Sequence, residues 1–359
     1  MIFTKRLIIP LFSIAASVVF CSAFSSVNVA DAVVTVSDGV YQYAPKNGAW
    51  TLYSYEGNDT SLSLPSEYDG LPVVDIAGRC FAQSNITEVS VPDSYTEIGA
   101  YAFYGCEQLR SVSLPSSLTS LGSAAFAKSG LEQADLSDTS LEYVSDYLFM
   151  NCSSLTEITL PPNAAYVGEA AFAGTSVTAA AIPGKVTALG RAAFADTAVL
   201  SSVSLPDGLL KIGESCFENS ALSDINLTET LTTIDASAFR GDSALTGLYI
   251  PDSVTEIGAY ALYPMSVQSS IEVSCFKNSY AETYCYENFV IDTKAYDKIP
   301  GDANLDGTLD ISDATEIQRH CATFITLGKI ASHLADVNRD GTISIEDATK
   351  VQRILADLD

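Results

Sequence analysis

Apolar positions recur along this chain with a fixed period. Large apolar residues stand at Phe81, Phe103, Phe126, Phe149, Phe172, Phe194, Phe217, Phe239 and Leu262, always 22 or 23 residues apart. Around each anchor the text is nearly constant, as in "QLRSVSLPSSLTSLGSAAF" and "ALTGLYIPDSVTEIGAYAL". A period of this size marks stacked units, each too small to bury its own apolar face. Within one unit, Leu109, Val112 and Leu114 predict a short strand and Pro115 ends its pairing. Leu118 and Leu121 continue the core, Gly122 turns the chain and Phe126 fills the interior. Strand laid beside strand at about 4.8 Å makes nine such units a rod of roughly 40 Å. The expected fold is therefore a mostly β solenoid over 61–270.

Alternation along each strand sends one side chain out for each one in. The outward row is Glu88, Ser111, Gln133, Glu157, Ala179, Ser202, Asp224 and Gly247; its companion is Ser90, Ser113, Asp135, Thr159, Ala181, Ser204, Asn226 and Tyr249. This face has neither the aromatic row of a polysaccharide groove nor the basic row of a phosphate site, which favours a protein or cell-surface partner, with a plain spacer as the alternative. Glu88, Gln133, Asp135, Glu157, Asp224 and Tyr249 are its larger groups and the candidate contacts. Solenoid ends need covering. Residues 33–60, with Tyr41, Tyr43, Trp50, Tyr53 and Tyr55, are the expected N-terminal cap, and 271–293 the C-terminal one. The N-terminal aromatics have a second reading as a sugar platform.

After a linker at 294–300 the pattern changes. "DANLDGTLDISDATEIQR" from Asp302 and "DVNRDGTISIEDATKVQR" from Asp336 are identical at eleven of eighteen positions, a duplicated unit over 301–359. Oxygen donors at alternate positions around a turn glycine are the spacing of a calcium loop. The first loop offers Asp302, Asn304, Asp306, the Thr308 carbonyl, Asp310 through a water, and Asp313 at position twelve, with Gly307 at the turn. The second offers Asp336, Asn338, Asp340, the Thr342 carbonyl, Ser344 and Asp347, with Gly341 at the turn. The expected cofactors are thus two calcium ions. Ala314, Ile317 and Cys321, then Ala348, Val351 and Leu355, fall on one face of a helix after each loop. Each unit reads as loop then helix, without the entering helix of an EF-hand.

The periodic region resembles the BspA-like class of bacterial leucine-rich repeats, with proline where the better-known repeat has an asparagine ladder. The C-terminal module, with Asp rather than Glu at position twelve, resembles a type I dockerin, a small α-helical module. That resemblance implies calcium-dependent docking onto a cohesin of a scaffoldin in a cellulosome-like, polysaccharide-degrading complex. Carried over by position, the residues meeting cohesin would be Ile311, Ser312, Gln318 and Arg319 in the first unit, and Ile345, Glu346, Gln352 and Arg353 in the second. Near-identity of the two units implies two docking modes, with Ser312 against Glu346 as the main asymmetry.

Residues 1–32 read as a secretory signal, with Lys5 and Arg6 ahead of an apolar run and an Ala30-Asp31-Ala32 cleavage site. The chain would then be extracellular and attached to its complex, without a membrane span. A formal charge of −26 argues against nucleic acid and anionic surfaces. Cys80, Cys106, Cys152 and Cys216 read as small core residues, whereas Cys275 and Cys285 are left open as a pair. The two histidines, His320 and His333, both lie in the C-terminal module, and no zinc-binding HExxH, nucleophile elbow or phosphate-binding glycine loop occurs. The expectation is a non-catalytic repeat protein. A cell-surface adhesin is the alternative, and a glycosidase or peptidase with its site in the repeats a further one.

Overall fold

The computed structural model describes residues 33–263, 271–288, 290 and 292–358; the expected signal at 1–32 lies outside them. The repeats form a β-solenoid, and two rows of parallel strands run along it. One row is the outward face, in which Ser61–Ser63, Glu88–Ser90 and Ser111–Ser113 pair in register, as do Gln133–Asp135 with Glu157–Thr159 and Ala179–Ala181 with Ser202–Ser204. A second row of two-residue strands, which the sequence pattern did not predict, includes Glu97–Ile98 with Ser120–Leu121, and Tyr166–Val167 with Ala188–Leu189.

Between the rows the phenylalanines close the core. Eight rings from Phe81 to Phe239 stack face to face, with neighbouring centroids 5.0 to 5.7 Å apart and planes within 19°. Each is almost wholly buried. Their amides also bond along the coil, Phe126 to the Leu148 carbonyl at 3.1 Å and Phe149 to the Ala171 carbonyl at 2.8 Å. A row of hydroxyls donates to the carbonyl of the turn before: Thr119 to Thr96, Thr156 to Glu132, Ser201 to Thr178 and Thr232 to Leu210.

The turn itself is not made where the sequence suggested. Gly122 lacks a positive φ; a Cβ there would meet the Ala100 amide nitrogen at 2.2 Å, so glycine is needed for close approach of two turns. The left-handed position is two residues later, at Ala124 (φ 54°), and recurs at Tyr101, Tyr147, Ala170, Ala192, Ser215, Ser237 and Tyr260.

The N-terminal segment is a hairpin, Tyr41–Lys46 antiparallel to Ala49–Tyr55, whose second strand pairs in parallel with Leu71–Ile76. Tyr43 is buried, stacks on Tyr68 at 4.0 Å and meets the edge of Trp50; Tyr55 lies 5.5 Å from Phe81 and so prolongs the ring column. At the other end helix α1 (Tyr280–Glu287), capped by the Ser279 hydroxyl, buries Ala281, Tyr284 and Cys285. Cys275 and Cys285 are free thiols, which closes the question of a disulfide; both are buried, and burial pushes the Cys275 thiol up to about 11. Cys106 and Cys152 point their thiols at the carbonyls of Phe81 and Phe126.

The stretch expected to be linker, 294–300, opens instead as part of a strand. Thr293–Tyr296 pairs with Glu272–Phe276 and adds a last strand to the solenoid. Lys298 then bonds the Asp252 carboxylate and sits over the Phe276 ring. The C-terminal module follows, built on helices α2 (Ile311–Cys321), α3 (Lys329–Ala335) and α4 (Ile345–Leu355), with Ala303, Ala314, Ile317, Ala335, Ala348 and Val351 as its core. Helix α3 corrects the expectation of bare loop-and-helix units: it ends where the second loop begins. Its seven residues, KIASHLA, carry no side-chain cap, which is why no start signal marked it. Among the described residues no helix is long and apolar enough to cross a membrane.

Candidate functional site

The two loops of the C-terminal module share the same set of amide-to-carboxylate bonds. Asp302 accepts from the amides of Asp306 (3.2 Å) and Gly307 (3.0 Å); Asp336 accepts from those of Asp340 (3.1 Å) and Gly341 (2.9 Å). Asp313 spans its loop by accepting from the amides of Asn304 and Asp310, and Asp347 does so from Asn338 and Ser344. Gly307 and Gly341 turn at φ 85° and 84°, the conformation that reserves this position for glycine. Asp310 and Ser344 are the N-caps of α2 and α4, each completed by the position-twelve aspartate in a capping box. The Thr308 and Thr342 amides and hydroxyls donate to Asp306 and Asp340.

These contacts decide what the loops can hold. Among the described residues no three or more Asp, Glu, His or Cys side chains converge on one point, since the carboxylates are drawn onto the loops' own amides. The donor chemistry nevertheless fits calcium, a hard cation that takes six to eight oxygens from a flexible loop. Asp302 is 2 % exposed and Asp313 fully buried. Burial, and the charges of Asp313 and Asp306, hold the Asp302 carboxyl above its usual range. Carboxylates near enough to raise a neighbour's pKa are charges that a cation would neutralise. Asp306 and Asp340 are held below their usual range by Thr308 and Thr342.

Helices α2 and α4 pack against each other and turn their other faces out. All eight residues carried over as cohesin contacts are exposed: Ile311, Ser312, Gln318, Arg319, Ile345, Glu346, Gln352 and Arg353. Ile311 (61 %) and Ile345 (56 %) are apolar groups held in water at the first position of each helix. Arg319 pairs with Glu316 at 2.7 Å, and Arg353 donates to the Leu358 carbonyl.

On the solenoid, Glu88, Gln133, Asp135, Glu157 and Asp224 are exposed on the strand face. Asp135 accepts from the Ser137 amide at 2.9 Å, which lowers its pKa. Tyr249 departs from the expectation. It is 6 % exposed, packed with Phe276, Ile330 and Leu334, and its hydroxyl donates to Glu229. Strand alternation does point it outward, but α3 of the C-terminal module lies on top of it. Asp224 is likewise engaged, 2.7 Å from the Lys329 ammonium. A cleft of about 1110 Å³ runs along this junction, lined by groups that include Glu229, Lys298, His333 and Arg339.

The family described as "BspA type Leucine rich repeat region" matches residues 74–200 and 166–291, with six copies, and that described as "Dockerin type I domain" matches residues 300–356. No curated protein matches the chain. Among solved structures, a leucine rich cell surface protein from Faecalibacterium prausnitzii is 23% identical over 73% of this chain and 94% of its own, with a TM-score of 0.41. The T. pallidum leucine rich repeat protein is 25% identical over 62% of this chain and 81% of its own, TM-score 0.37. The pneumococcal vaccine antigen PcpA is 16% identical over 73% and 96%, TM-score 0.42.

Proposed function

The chain belongs to the BspA-type leucine-rich repeat family and ends in a type I dockerin domain, and from that premise we propose that it is a non-catalytic extracellular repeat protein carried on a scaffold. In this reading the dockerin docks in a calcium-dependent way onto a cohesin of a cellulosome-like complex, and the repeats hold a protein or cell-surface partner. The observation that carries it is the twofold likeness of the loops and of the exposed helix faces that follow them.

Asp302, Asn304, Asp306, Asp310 and Asp313 would hold one ion, with the Thr308 carbonyl; Asp336, Asn338, Asp340, Ser344 and Asp347 would hold the other, with the Thr342 carbonyl. Calcium, when bound, neutralises carboxylates that otherwise repel one another and ties each loop to the start of its helix. The chain's own residues do the recognition. Ile311 and Ile345 offer an apolar anchor at each helix start, Ser312 and Glu346 the neighbouring polar contact, and Gln318–Arg319 and Gln352–Arg353 a polar pair two turns further on. Buried apolar anchors with a polar rim are the usual economy of a tight interface. On the repeats, Glu88, Gln133, Asp135 and Glu157 remain as the contact row, acidic and polar enough to suit a partner with basic or hydrogen-bonding groups.

The test is capture of the full chain on an immobilised type I cohesin with calcium and with chelator. Binding that needs calcium is expected; equal retention in both buffers, or none on a panel of type I cohesins, would overturn the docking role. Turnover of a polysaccharide or peptide substrate, lost on changing one repeat carboxylate, would overturn the non-catalytic reading.

A further inference from the structure

Helix α3 belongs to two cores at once. It is seven residues long with no side-chain cap, too short to be stable alone, so its order comes from what it touches. Ile330 and Leu334, one turn apart and each 3 % exposed, pack on Tyr249 and Phe276 of the last solenoid strands. Ala335, at its end, is buried in the dockerin core with Ala314, Ile317 and Val351. Polar contacts frame the apolar patch: Lys329 lies 2.7 Å from Asp224 and donates to the Ile225 carbonyl at 2.8 Å, and the His333 Nδ1 faces Glu229 at 3.2 Å.

The same helix leads straight into the second loop. Its C-cap is Asp336, the first donor of that loop. The first loop is reached differently, by the strand Thr293–Tyr296 and then Gly301, whose amide bonds the Leu334 carbonyl at 2.8 Å. Both loops thus follow segments that the solenoid orders, and Leu305 of the first also touches the Tyr249–Phe276 patch, but it is the second loop whose first donor is itself the C-cap of α3.

We propose that α3 is a lever linking the solenoid to the second calcium loop, so that seating the helix on the solenoid raises that loop's affinity for calcium and calcium in turn tightens the seat. The proposal rests on the calcium reading given above. It follows from reciprocity: two events that each require α3 to be ordered must favour each other by the same factor. It also gives the last strands an occupant. Asp224 and Tyr249 serve the chain's own dockerin, while the cohesin-facing residues of α2 and α4 stay exposed. The repeats are then presented to their partner at one fixed angle from the scaffold.

The experiment uses the full chain, titrated with calcium by calorimetry and followed by small-angle X-ray scattering. Asp224→Lys sets a cation against Lys329 at a position that is exposed apart from this contact. Asp138→Lys is the control, the same charge change elsewhere on the solenoid at an exposed residue outside the contact row. The charge swap Asp224→Lys with Lys329→Asp restores the pair at the wild-type net charge. The expected result is two calcium sites in the wild type, one of them weakened by about 3- to 10-fold in Asp224→Lys, the scale that reversing one largely exposed ion pair can transmit. Asp224→Lys should also be more extended in scattering, Asp138→Lys should change neither readout, and the swap should recover both. Unchanged affinities in Asp224→Lys, or an equal loss in Asp138→Lys, or no recovery in the swap would each overturn the lever. A wild-type chain that takes up no calcium would place the fault in the calcium reading itself, and the lever would fall with it.

Discussion

Replacing Phe149 by alanine tests whether the ring column is what holds the repeats together. Phe149 is 1 % exposed and sits between Phe126 at 5.7 Å and Phe172 at 5.6 Å. Loss of a buried phenylalanine side chain costs about 3–5 kcal/mol, the cavity included. Each aromatic partner adds about 0.5–1.5 kcal/mol beyond burial, and here two are lost, so the cost belongs at the upper end. Phe239, with one stacked neighbour in Phe217 and 3 % exposed, should cost less when changed in the same way. Urea unfolding in saturating calcium, read by circular dichroism, supplies the numbers. The midpoint should fall in the order Phe149→Ala, then Phe239→Ala, with the surface control Glu157→Ala within about 0.5 kcal/mol of wild type. A Phe149→Ala chain as stable as the control would refute the column as the source of cohesion.

Chelation should unfold the helices of 301–359 and spare the solenoid, because the loop carboxylates lose their counter-charge; one melting transition untouched by calcium would contradict this. Under two docking modes, changing Gln318 and Arg319 to alanine should cost little cohesin affinity while Gln352 and Arg353 remain, and changing all four should abolish it. Loss of binding from either pair alone would leave a single mode. Asp242 is buried on Ser220, Leu222 and Ala244, and burial pushes its carboxyl up to about 6. Since its folded pKa lies above the unfolded value of about 3.9, its contribution is fullest below about pH 4 and is lost as pH rises through about 6, on the order of 1–3 kcal/mol. Asp242→Asn should flatten stability over that window relative to wild type, and identical pH profiles would disprove the assignment.

Much of this was readable in the residues. The 22- or 23-residue spacing of phenylalanines located the core, and alternation around Val89, Ala134 and Val203 placed Glu88, Gln133 and Ser202 outside, where they lie. The duplicated aspartates likewise located both loops. What escaped depends on contacts between distant parts of the chain. Tyr249 follows the outward rule and is buried only because Ile330 and Leu334, some eighty residues later, lie on it. Thr293–Tyr296 looks like linker until its pairing with Glu272–Phe276 is seen, since a parallel strand of four residues has no turn signal to announce it. The left-handed residues at Tyr101, Ala124 and Tyr147 are equally silent, because a bond to the next turn holds each of them: their amides donate to Ser123, Asp146 and Glu169.

The hydrogen bonds between turns run along the rod, and this gives it a mechanical character. A pull on its two ends loads the short parallel ladders in the direction in which they open most easily, one after another, as a zipper opens. Each turn adds about 4.8 Å to the folded rod, whereas its 22 or 23 residues reach roughly 75 Å when drawn out. A rod of this kind yields in steps under load, each turn that gives way lengthening roughly fifteenfold while the remaining turns stay folded.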